Sequence, residues 1–368
     1  MKVGILGGGQ LGRMLALAGY PLGLTFRFFD PNPLSPAGQI GELIAAPYDD
    51  EDSLRTFASG LDVATFEFES VPRAAADLVA SMVPVRPPPA ALSAAQDRLA
   101  ERELLERLGI PVAPHVPVSS ESELSAAAAR LGYPLVLKAR TLGYDGKGQA
   151  RIEAASELRA AWAAIGQRPA IVERVVNFTR ELSVIGVRAG DGSMVTYPVI
   201  ENHHSEGILR FSFAPAEASS AVQQAAEAIV RKVADALDYE GVLAIELFDT
   251  ASGLVANEIA PRVHNSGHWT MEGAETSQFE NHLRAVLGMP LGATQAIGFS
   301  AMVNLIGSVP DVSRLLAVSG AHVHLYGKSA SHRRKLGHVN VRAETAPAVR
   351  DSVAELRRVM AETNPDKS

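Results

Sequence analysis

The sequence predicts a protein of mixed α/β and α+β class that begins with a doubly wound parallel sheet and ends in a small β-rich domain. In the first 90 or so residues, apolar runs of strand length alternate with helical patterns, and such alternation is typical of parallel sheets. Beyond about residue 175, apolar strand-length runs follow each other with fewer helices between them, which favours antiparallel pairing. The length of 368 residues exceeds what one core supports, so we expect two or three packed domains.

The first domain is expected over residues 1–92. Its strands are short buried runs, and a glycine-rich turn joins the first strand to the first helix. The proline-rich segment 82–89 closes this domain, because proline removes a backbone donor and restricts the residue before it. We predict strands over residues 2–6, 25–30 and 61–67 and helices over residues 10–18 and 71–81.

A second domain is expected over residues 93–295, and a third, with short strands and a polar helix, over residues 296–368. The second opens with a helix over residues 93–108 that ends at Gly109, a residue suited to helix termination. Residues 110–175 hold a compact alternation of helices and strands and are predicted to form a small lobe. In the second domain we predict helices over residues 121–131, 156–165 and 219–238 and strands over residues 134–139, 170–173, 181–188, 194–200 and 241–248.

Composition excludes several classes of function. The formal net charge of −7 gives no general attraction for nucleic acid or anionic membranes, which favours small-molecule chemistry. Because the chain has no cysteine, disulfides, thiolate metal sites and cysteine nucleophiles are excluded. No apolar run approaches the roughly 20 residues of a membrane span. We therefore expect a soluble, cytoplasmic protein.

A glycine-rich loop follows the first strand. Residues Gly7 to Gly12 satisfy the G-x-G-x-x-G pattern, and Asp30 ends the next predicted strand, as in dinucleotide-binding folds. The same loop also serves many doubly wound domains simply to pack a helix against a strand. We favour the packing interpretation and keep dinucleotide binding, as in a nicotinamide dehydrogenase, as the minor alternative.

A second glycine-rich segment, residues 141–149, follows the strand that carries Lys138. Its three glycines would let a loop close over phosphates, whose charge Lys138 and Lys147 would neutralise. The Asp145-Gly146 pair equally favours a solvated hairpin turn. The local residues do not decide between these interpretations, and the segment is not a Walker A loop.

Two glutamates lie in apolar runs that predict a hairpin. Glu246 and Glu258 are separated by a turn-forming segment, residues 249–253, so the hairpin would bring their carboxylates to neighbouring strands. Burial of two unpaired carboxylates is costly and calls for a cation, and oxygen ligands suit an Mg²⁺ ion that bridges nucleotide phosphates. Strand alternation would instead allow both glutamates to face solvent. The apolar flanks favour the buried arrangement.

The run that follows is dense in polar donors. Arg262, His264, Asn265 and His268 lie in a segment with little helix or strand pattern, where the arginine would bind an anion and the others would orient it. A polar surface turn is the alternative. Zinc binding by His264 and His268 is disfavoured, because neither a plausible third ligand nor an H-E-x-x-H helix accompanies them.

One stretch is strongly basic in an otherwise acidic protein. Lys328 and residues 332–335 would suit an anionic group such as a sugar phosphate. A solvated charge run explains the same residues equally well.

In this order and spacing, the segments resemble the ATP-grasp superfamily and, within it, the N5-carboxyaminoimidazole ribonucleotide synthetases of purine biosynthesis. The resemblance covers nearly the whole chain, and the run from Asn257 to Trp269 is close to a signature of this family. The chain departs from the family pattern at Arg102 and Ala139, where relatives usually have lysine and threonine, which bears on fine contacts and not on activity. Other matching runs are residues 7–14, 65–69, 96–98, 143–149, 180–184, 201–204, 207–209 and 334–338.

The resemblance implies an N-terminal pre-ATP-grasp domain, a two-lobed ATP-grasp domain with ATP between its lobes, and a small C-terminal domain. It also implies binding roles for residues at matching positions. ATP would contact Arg98, Lys138, Gly143, Tyr144, Asp145, Gly146, Lys147, Gly148, Gln149, Glu173, Val176, Glu181, His204, Asn257 and Glu258, while Glu246 and Glu258 would hold Mg²⁺, with two ions expected. Aminoimidazole ribonucleotide would contact Gln10, Glu67, Tyr144, Asp145, Lys328 and Arg334, and the catalytic set would be Asp145, Arg262, His264 and Asn265.

The implied activity is that of an ATP-dependent carbon–nitrogen ligase. Bicarbonate would be phosphorylated to carboxyphosphate, and its carboxyl group would pass to the exocyclic amine of 5-aminoimidazole ribonucleotide, with release of ADP and phosphate. Closure of the 143–149 loop would protect carboxyphosphate from water. The resemblance also implies a homodimer with no nucleic-acid or membrane partner. The alternative is another ATP-grasp ligase with an acyl-phosphate intermediate, such as a formate-dependent glycinamide ribonucleotide transformylase.

Overall fold

The structure, a computed structural model, describes residues 1–141 and 148–363. Within these ranges the strands form three sheets, one parallel and two antiparallel, as the predicted mixture of α/β and α+β requires. A search of the same ranges finds no helix that is both long enough and apolar enough to cross a membrane.

The first sheet is the predicted doubly wound one. Its strands are β1 (Lys2–Leu6), β2 (Thr25–Phe29), β3 (Glu42–Ile44) and β4 (Val63–Phe66), and its helices are α1 (Gln10–Gly19), α2 (Glu51–Ala58) and α3 (Arg73–Ala80). All four strands run parallel, in the order β3-β2-β1-β4. Ile5, Phe28 and Phe66 are fully buried, as expected for parallel strands covered on both faces.

The predicted single helix over residues 93–108 is wrong. Two helices, α4 (Pro89–Gln96) and α5 (Arg98–Arg107), meet at Asp97, whose backbone is extended. The Asp97 carboxylate accepts a backbone N–H of the first turn of α5 at 2.9 Å and pairs with Arg140 at 2.5 Å. An aspartate that caps one helix and binds a distant arginine therefore interrupts a segment whose composition is helical throughout.

The second sheet is antiparallel and lies in the predicted small lobe. Its strands are β5 (His115–Val118), β6 (Leu135–Ala139), β7 (Gln149–Ile152) and β8 (Ala170–Arg174), and its helices are α6 (Glu121–Leu131) and α7 (Leu158–Ala164). The strand order is β5-β8-β6-β7. The core between sheet and helices includes Leu124, Leu137 and Trp162.

The third sheet contains nine strands among the described residues. They are β9 (Arg180–Arg188), β10 (Met194–Thr196), β11 (Ile200–Ser205), β12 (Ile208–Ala214), β13 (Gly241–Thr250), β14 (Gly253–Ala260), β15 (Phe299–Ile306), β16 (Ala321–Leu325) and β17 (Lys335–Ala343). The order is β14-β13-β9-β11-β12-β15-β17-β16, with β10 paired to β9. Strand β15 pairs with β12, so the C-terminal strands continue the sheet of the large lobe. The accompanying helices are α8 (Ser220–Ala236), α9 (Thr270–Gly273), α10 (Gln278–Val286), α11 (Val312–Leu316) and α12 (Ala346–Thr363).

The predicted strand over residues 194–200 is divided into β10 and β11. Both pieces pair with β9, and the interruption between them contains Pro198, which has no N–H to give to the ladder. The Tyr197 hydroxyl donates to the Thr276 carbonyl at 2.8 Å inside the core. The position of the strand was predicted correctly, but its continuity was not.

A buried histidine joins the first sheet to the third. The Nδ1 of His282, on α10, accepts the Val242 N–H at 3.1 Å, so the ring proton lies on Nε2, which is 2.9 Å from the Thr65 hydroxyl. Burial lowers the pKa of His282 to about 3. The imidazole is therefore neutral in the folded protein near neutral pH.

We expect His282 to weaken folding stability in acid. Its pKa falls from an ordinary value of 6.5 to about 3 on folding, so its contribution is complete above pH 6.5 and is lost as the pH falls toward 3. The uptake of one proton on unfolding amounts to about 1.4 kcal/mol per pH unit. In urea unfolding between about pH 7 and pH 4, the free energy of unfolding of His282→Gln should depend less steeply on pH than that of the wild type. The exposed His322→Gln is the control, and equal slopes for wild type and His282→Gln would refute the assignment.

Candidate active site

The wall of a cavity of about 1170 Å³ is formed by residues of the second and third sheets and, from the first domain, by residues of α1 and of the segments after β2 and β4. Most of the site residues that the sequence predicted line it: Gln10, Glu67, Arg98, Lys138, Gln149, Glu173, Val176, Glu181, His204, Glu246, Asn257, Glu258, Arg262, His264, Asn265, Lys328 and Arg334. Gly148 precedes β7, and its carbonyl accepts the Ala139 N–H at 2.8 Å. The predicted residues Gly143, Tyr144, Asp145, Gly146 and Lys147 lie outside the described residues.

The predicted hairpin of the two glutamates is confirmed. Strands β13 and β14 pair antiparallel, with Glu246 directly opposite Glu258. The register shifts beside this pair, so that Asn257 has no opposite residue on β13 and forms a bulge. Because of the bulge, the consecutive residues Asn257 and Glu258 both line the cavity, where strict alternation would send them to opposite faces. Both carboxylates of the hairpin therefore reach the cavity.

The opposed glutamates concentrate negative charge. Burial raises the pKa of Glu246, and the carboxylates of Glu258 and Glu181 raise it further, against the opposing charge of His204. A cation between Glu246 and Glu258 would relieve this repulsion, so the oxygen donors fit Mg²⁺. Within the part of the chain that the structure describes, no group of three or more acidic or histidine side chains is placed to hold a metal ion. An ion at the hairpin would therefore take its remaining ligands from water or from a bound phosphate.

A histidine on β11, which is separated from β13 by β9, faces these carboxylates. His203 stacks on Phe211, whereas the next residue, His204, lines the cavity, because consecutive strand residues point to opposite faces of a sheet. The Nδ1 of His204 is 2.5 Å from Glu181, and its Nε2 is 4.0 Å from Glu246. Burial alone would lower the pKa of His204, but Glu181 and Glu246 outweigh burial and raise the pKa overall. His204 therefore favours its charged form beside the hairpin.

Lys138 is held at the cavity wall by a buried carboxylate. Its Nζ lies 2.6 Å from Glu173, which also accepts a hydrogen bond from Arg102 Nε at 2.7 Å. Burial alone would raise the pKa of Glu173, but Lys138 and Arg102 outweigh burial and lower the pKa to about 2. The ionised Glu173 fixes the Lys138 ammonium in the cavity, where it donates to Asn257 Oδ1 at 3.4 Å across the two lobes.

The Arg262 guanidinium is already paired with an oxyanion. Its Nε contacts the carboxylate of Glu69, in the segment after β4, and its Nη1 donates to the Val263 carbonyl at 3.0 Å. Burial would raise the pKa of Glu69, but Arg262 outweighs burial and lowers the pKa overall. Arg262 thus binds a carboxylate at the cavity wall.

His264 and Asn265 are fixed by residues of other strands. The His264 Nε2 lies 3.5 Å from Glu246. Burial, and then the charge of Arg262, lowers the pKa of His264 well below its usual value, so the imidazole is neutral. Asn265 exchanges two side-chain hydrogen bonds with Asn304 on β15, at 3.1 and 2.7 Å. Neutral donors and acceptors therefore stand next to the charged Arg262.

The amides of the N-terminal glycine loop are occupied by the protein's own carboxylates. The Gly8 N–H donates to Asp30 at 2.8 Å, and the N–H groups of Gly9 and Gly12 donate to Glu67 at 2.8 and 2.9 Å. These are the donors that a dinucleotide pyrophosphate would need. The structure supports the packing interpretation of this loop and opposes dinucleotide binding.

The basic stretch faces the cavity. It lies between β16 and the start of β17, and its basic residues in the cavity wall are Lys328, His332, Arg333, Arg334 and Lys335. Lys328 donates to the side-chain oxygen of Gln10 on α1, and Arg334 donates to the Ser329 carbonyl at 3.3 Å. This position favours the interpretation as an anion site over that as a solvated charge run.

Several residues at the cavity wall or behind it were not predicted as site residues from the sequence. Glu69 lies in the same run as Glu67 and could have been found from it. Phe178, two residues before β9, and Phe248 on β13 stack with ring centres 4.7 Å apart, because β9 and β13 are paired. Arg102 and Asn304 do not line the cavity but bind the lining residues Glu173 and Asn265, which are far away in the chain, and such contacts leave no local sequence pattern.

Three models of known domains match successive parts of the chain. Residues 1–96 match the ribonucleotide synthetase preATP-grasp domain, residues 103–279 match the ATP-grasp domain, and residues 300–352 match the phosphoribosylaminoimidazole carboxylase C-terminal domain. Together with two lobes that enclose opposed glutamates and a lysine, these matches define the protein as an ATP-grasp ligase.

Whole-chain comparisons narrow this class to one family. The chain is 49% identical over 360 residues to the N5-carboxyaminoimidazole ribonucleotide synthase of Pseudomonas aeruginosa, covering 98% of this chain and 99% of the relative. The crystal structure of the N5-carboxyaminoimidazole ribonucleotide synthetase from Thermus thermophilus matches with a TM-score of 0.93 and 51% identity, covering 97% of this chain and 98% of that one. The N5-carboxyaminoimidazole synthase of Aspergillus clavatus, solved with ADP and 5-aminoimidazole ribonucleotide, matches with a TM-score of 0.91 and 35% identity over 98% of each chain. The chain belongs to the N5-carboxyaminoimidazole ribonucleotide synthase family, as its sequence resemblance predicted.

Proposed function

We propose that this chain carboxylates 5-aminoimidazole ribonucleotide with bicarbonate and ATP, forming N5-carboxyaminoimidazole ribonucleotide, ADP and phosphate. The observation that supports this best is the shared cavity, in which the glutamate hairpin, Arg262 and the basic stretch around Lys328 lie together. The relative solved with ADP and 5-aminoimidazole ribonucleotide supports the same pair of ligands.

ATP would lie between the small lobe and the third sheet. Arg98, Lys138 and His204 would neutralise its phosphates, and the loop 143–149 would close over them. The stacked rings of Phe178 and Phe248 form an apolar part of the wall that suits a purine base. The remaining nucleotide contacts in this proposal are Gln149, Glu173, Val176, Glu181, Asn257 and Glu258.

Glu246 and Glu258 would hold Mg²⁺, with two ions in the complete site. When bound, Mg²⁺ neutralises charge on the transferring phosphoryl group. The hairpin keeps the two carboxylates opposite each other, and Arg98 Nη1 lies 3.2 Å from Glu258 Oε2.

Bicarbonate would bind at Arg262, where the neutral His264 and Asn265 orient it. A bicarbonate oxygen attacks the γ-phosphorus, the bond to ADP breaks, and carboxyphosphate forms. The exocyclic amine then attacks the carboxyl carbon, the carbon–oxygen bond to phosphate breaks, and the amine loses a proton. Asp145 completes the catalytic set of this proposal, and exclusion of water preserves carboxyphosphate until the amine reacts.

The aminoimidazole ribonucleotide would bind beside the basic stretch. Lys328 and Arg334 would hold its 5′-phosphate, since this stretch concentrates cations at one end of the cavity. Gln10 and Glu67 would reach the nucleotide from the first domain, together with Tyr144 and Asp145.

The proposal includes a cytoplasmic homodimer. An ATP-consuming step of purine synthesis belongs where nucleotides are made, and the dimer is what the family resemblance implies. Sedimentation equilibrium should give twice the chain mass of 39.0 kDa. The mass of a single chain at micromolar concentration would show that the protein is not a homodimer.

The test of the reaction is the substrate dependence of ADP release. We expect release to require both bicarbonate and 5-aminoimidazole ribonucleotide for full rate, because the amine must consume carboxyphosphate for productive turnover. If ADP release instead requires formate and glycinamide ribonucleotide and does not depend on bicarbonate, the chain is the alternative formate-dependent ligase.

A further inference from the structure

Two consecutive charged residues on α5 are buried between the lobes. Glu101 and Arg102 are each only 1% exposed, and neither lines the large cavity. Their side chains pair with each other, Arg102 Nη1 donating to Glu101 Oε2 at 2.7 Å. Burial of charge is costly, so an ion pair in this position needs a reason beyond packing.

Each member of the pair reaches a different lobe. Arg102 Nε donates to Glu173 of the small lobe at 2.7 Å, and Glu173 in turn holds Lys138 at 2.6 Å. Glu101 Oε1 accepts the Ile259 N–H of β14 at 2.5 Å, one residue after Glu258. The chain of contacts therefore runs from Lys138 through Glu173, Arg102 and Glu101 to the strand of Glu258.

The chemistry of Arg102 suits this connection. A guanidinium offers several donors in a fixed plane, so Nε and Nη1 can bind two different carboxylates at once. A lysine ammonium, which relatives usually have at this position, carries three donors on one nitrogen and keeps the positive charge between the two carboxylates. Two carboxylates and two cations then balance within the group formed by Glu101, Arg102, Glu173 and Lys138.

We propose that Glu101 and Arg102 are positioning residues that fix Lys138 relative to Glu258, and thereby set the affinity for the ATP phosphates. The proposal rests on the proposed function only in that Lys138 and Glu258 bind nucleotide. It requires no part for the pair in binding bicarbonate or the ribonucleotide, since neither residue lines the cavity.

The test uses the whole chain and three variants: Arg102→Lys, Arg102→Met and the double variant Glu101→Gln with Arg102→Met. Arg102→Met leaves Glu101 buried without its cation and is expected to fold poorly. The double variant removes both charges and keeps the group neutral, so it is the informative one. Matched controls on the same helix are Glu103→Gln and Arg107→Lys, at exposed positions.

The first readout is the affinity for adenylyl imidodiphosphate with Mg²⁺, by titration calorimetry. We expect the dissociation constant to rise about tenfold in the double variant, to stay within about threefold of wild type in Arg102→Lys, which introduces the residue usual in relatives, and to stay within about twofold in both controls. Because no acceptor substrate is present, this readout stands even if the proposed carboxylation is wrong, a failure that wild-type turnover would show separately.

The second readout separates positioning from general damage to the fold. The KM for ATP should rise about tenfold in the double variant while the KM values for bicarbonate and the ribonucleotide change less than about twofold. Nucleotide affinity within twofold of wild type in the folded double variant would overturn the proposal, and so would an equal rise in all three KM values. If the double variant does not fold, Arg102→Gln, whose amide can donate to only one of the two carboxylates at a time with good geometry, decides the outcome by the same two readouts.

Discussion

Replacement of Glu258 by glutamine is expected to lower ATP turnover about 1000-fold while leaving the fold intact. Glutamine keeps the shape of the side chain but lacks the charge that, opposite Glu246, would hold Mg²⁺. The fold should tolerate the change, because the Glu258 side chain is 41% exposed and its negative charge repels that of Glu246. Removal of one of two like charges relieves repulsion between the strands.

The measurement is ADP release at saturating bicarbonate and 5-aminoimidazole ribonucleotide over a series of Mg²⁺ concentrations. Thermal unfolding of the same preparations checks the fold. Glu355→Gln, the same substitution at a half-exposed position on α12, is the matched control. Wild-type turnover in Glu258→Gln would show that the Glu258 carboxylate is not needed to hold the metal ion.

Replacement of Arg262 by lysine is expected to lower kcat/KM for bicarbonate about 100-fold, with nucleotide affinity changed less than about threefold. Lysine keeps the positive charge but cannot present the planar fork that binds a carboxylate side-on. Glu69 retains a cation beside it, so the variant does not leave that partly buried carboxylate without a partner.

The effect is measured from initial rates in buffers depleted of carbon dioxide, with bicarbonate added back. Arg358→Lys, an exposed position on α12, controls for the chemical change itself. A bicarbonate dependence like that of the wild type would show that Arg262 does not bind this substrate. An equal loss of nucleotide affinity would place Arg262 on the ATP side of the cavity.

The sequence was sufficient for the elements of the fold but not for their interruptions. Alternating patterns located the parallel sheet and the hairpin of Glu246 and Glu258, because side-chain burial follows strand and helix periods. Asp97 divides a helical segment through a bond to Arg140 that periodicity does not contain. The bulge at Asn257 likewise follows from pairing with β13 and not from the strand's own residues.

The candidate site was predicted best where its residues are close together in the chain. The run from Asn257 to Asn265 could be read locally, and its members do meet in one cavity. The glycine loop was ambiguous because its amides are bound by Asp30 and Glu67, residues from later strands. Glu69 and Arg102 acquire their contacts only when separate elements come together.

We propose that bicarbonate is activated as carboxyphosphate in the cavity that Glu258 and Arg262 share. Turnover with ¹⁸O-labelled bicarbonate, ATP and 5-aminoimidazole ribonucleotide tests it directly, because the bridging oxygen of carboxyphosphate leaves with the phosphate when the amine attacks carbon. Mass spectrometry of the released phosphate should find one ¹⁸O atom from bicarbonate per turnover. Phosphate that carries no ¹⁸O, although the carboxylated ribonucleotide is formed, would show that bicarbonate is not phosphorylated in this reaction.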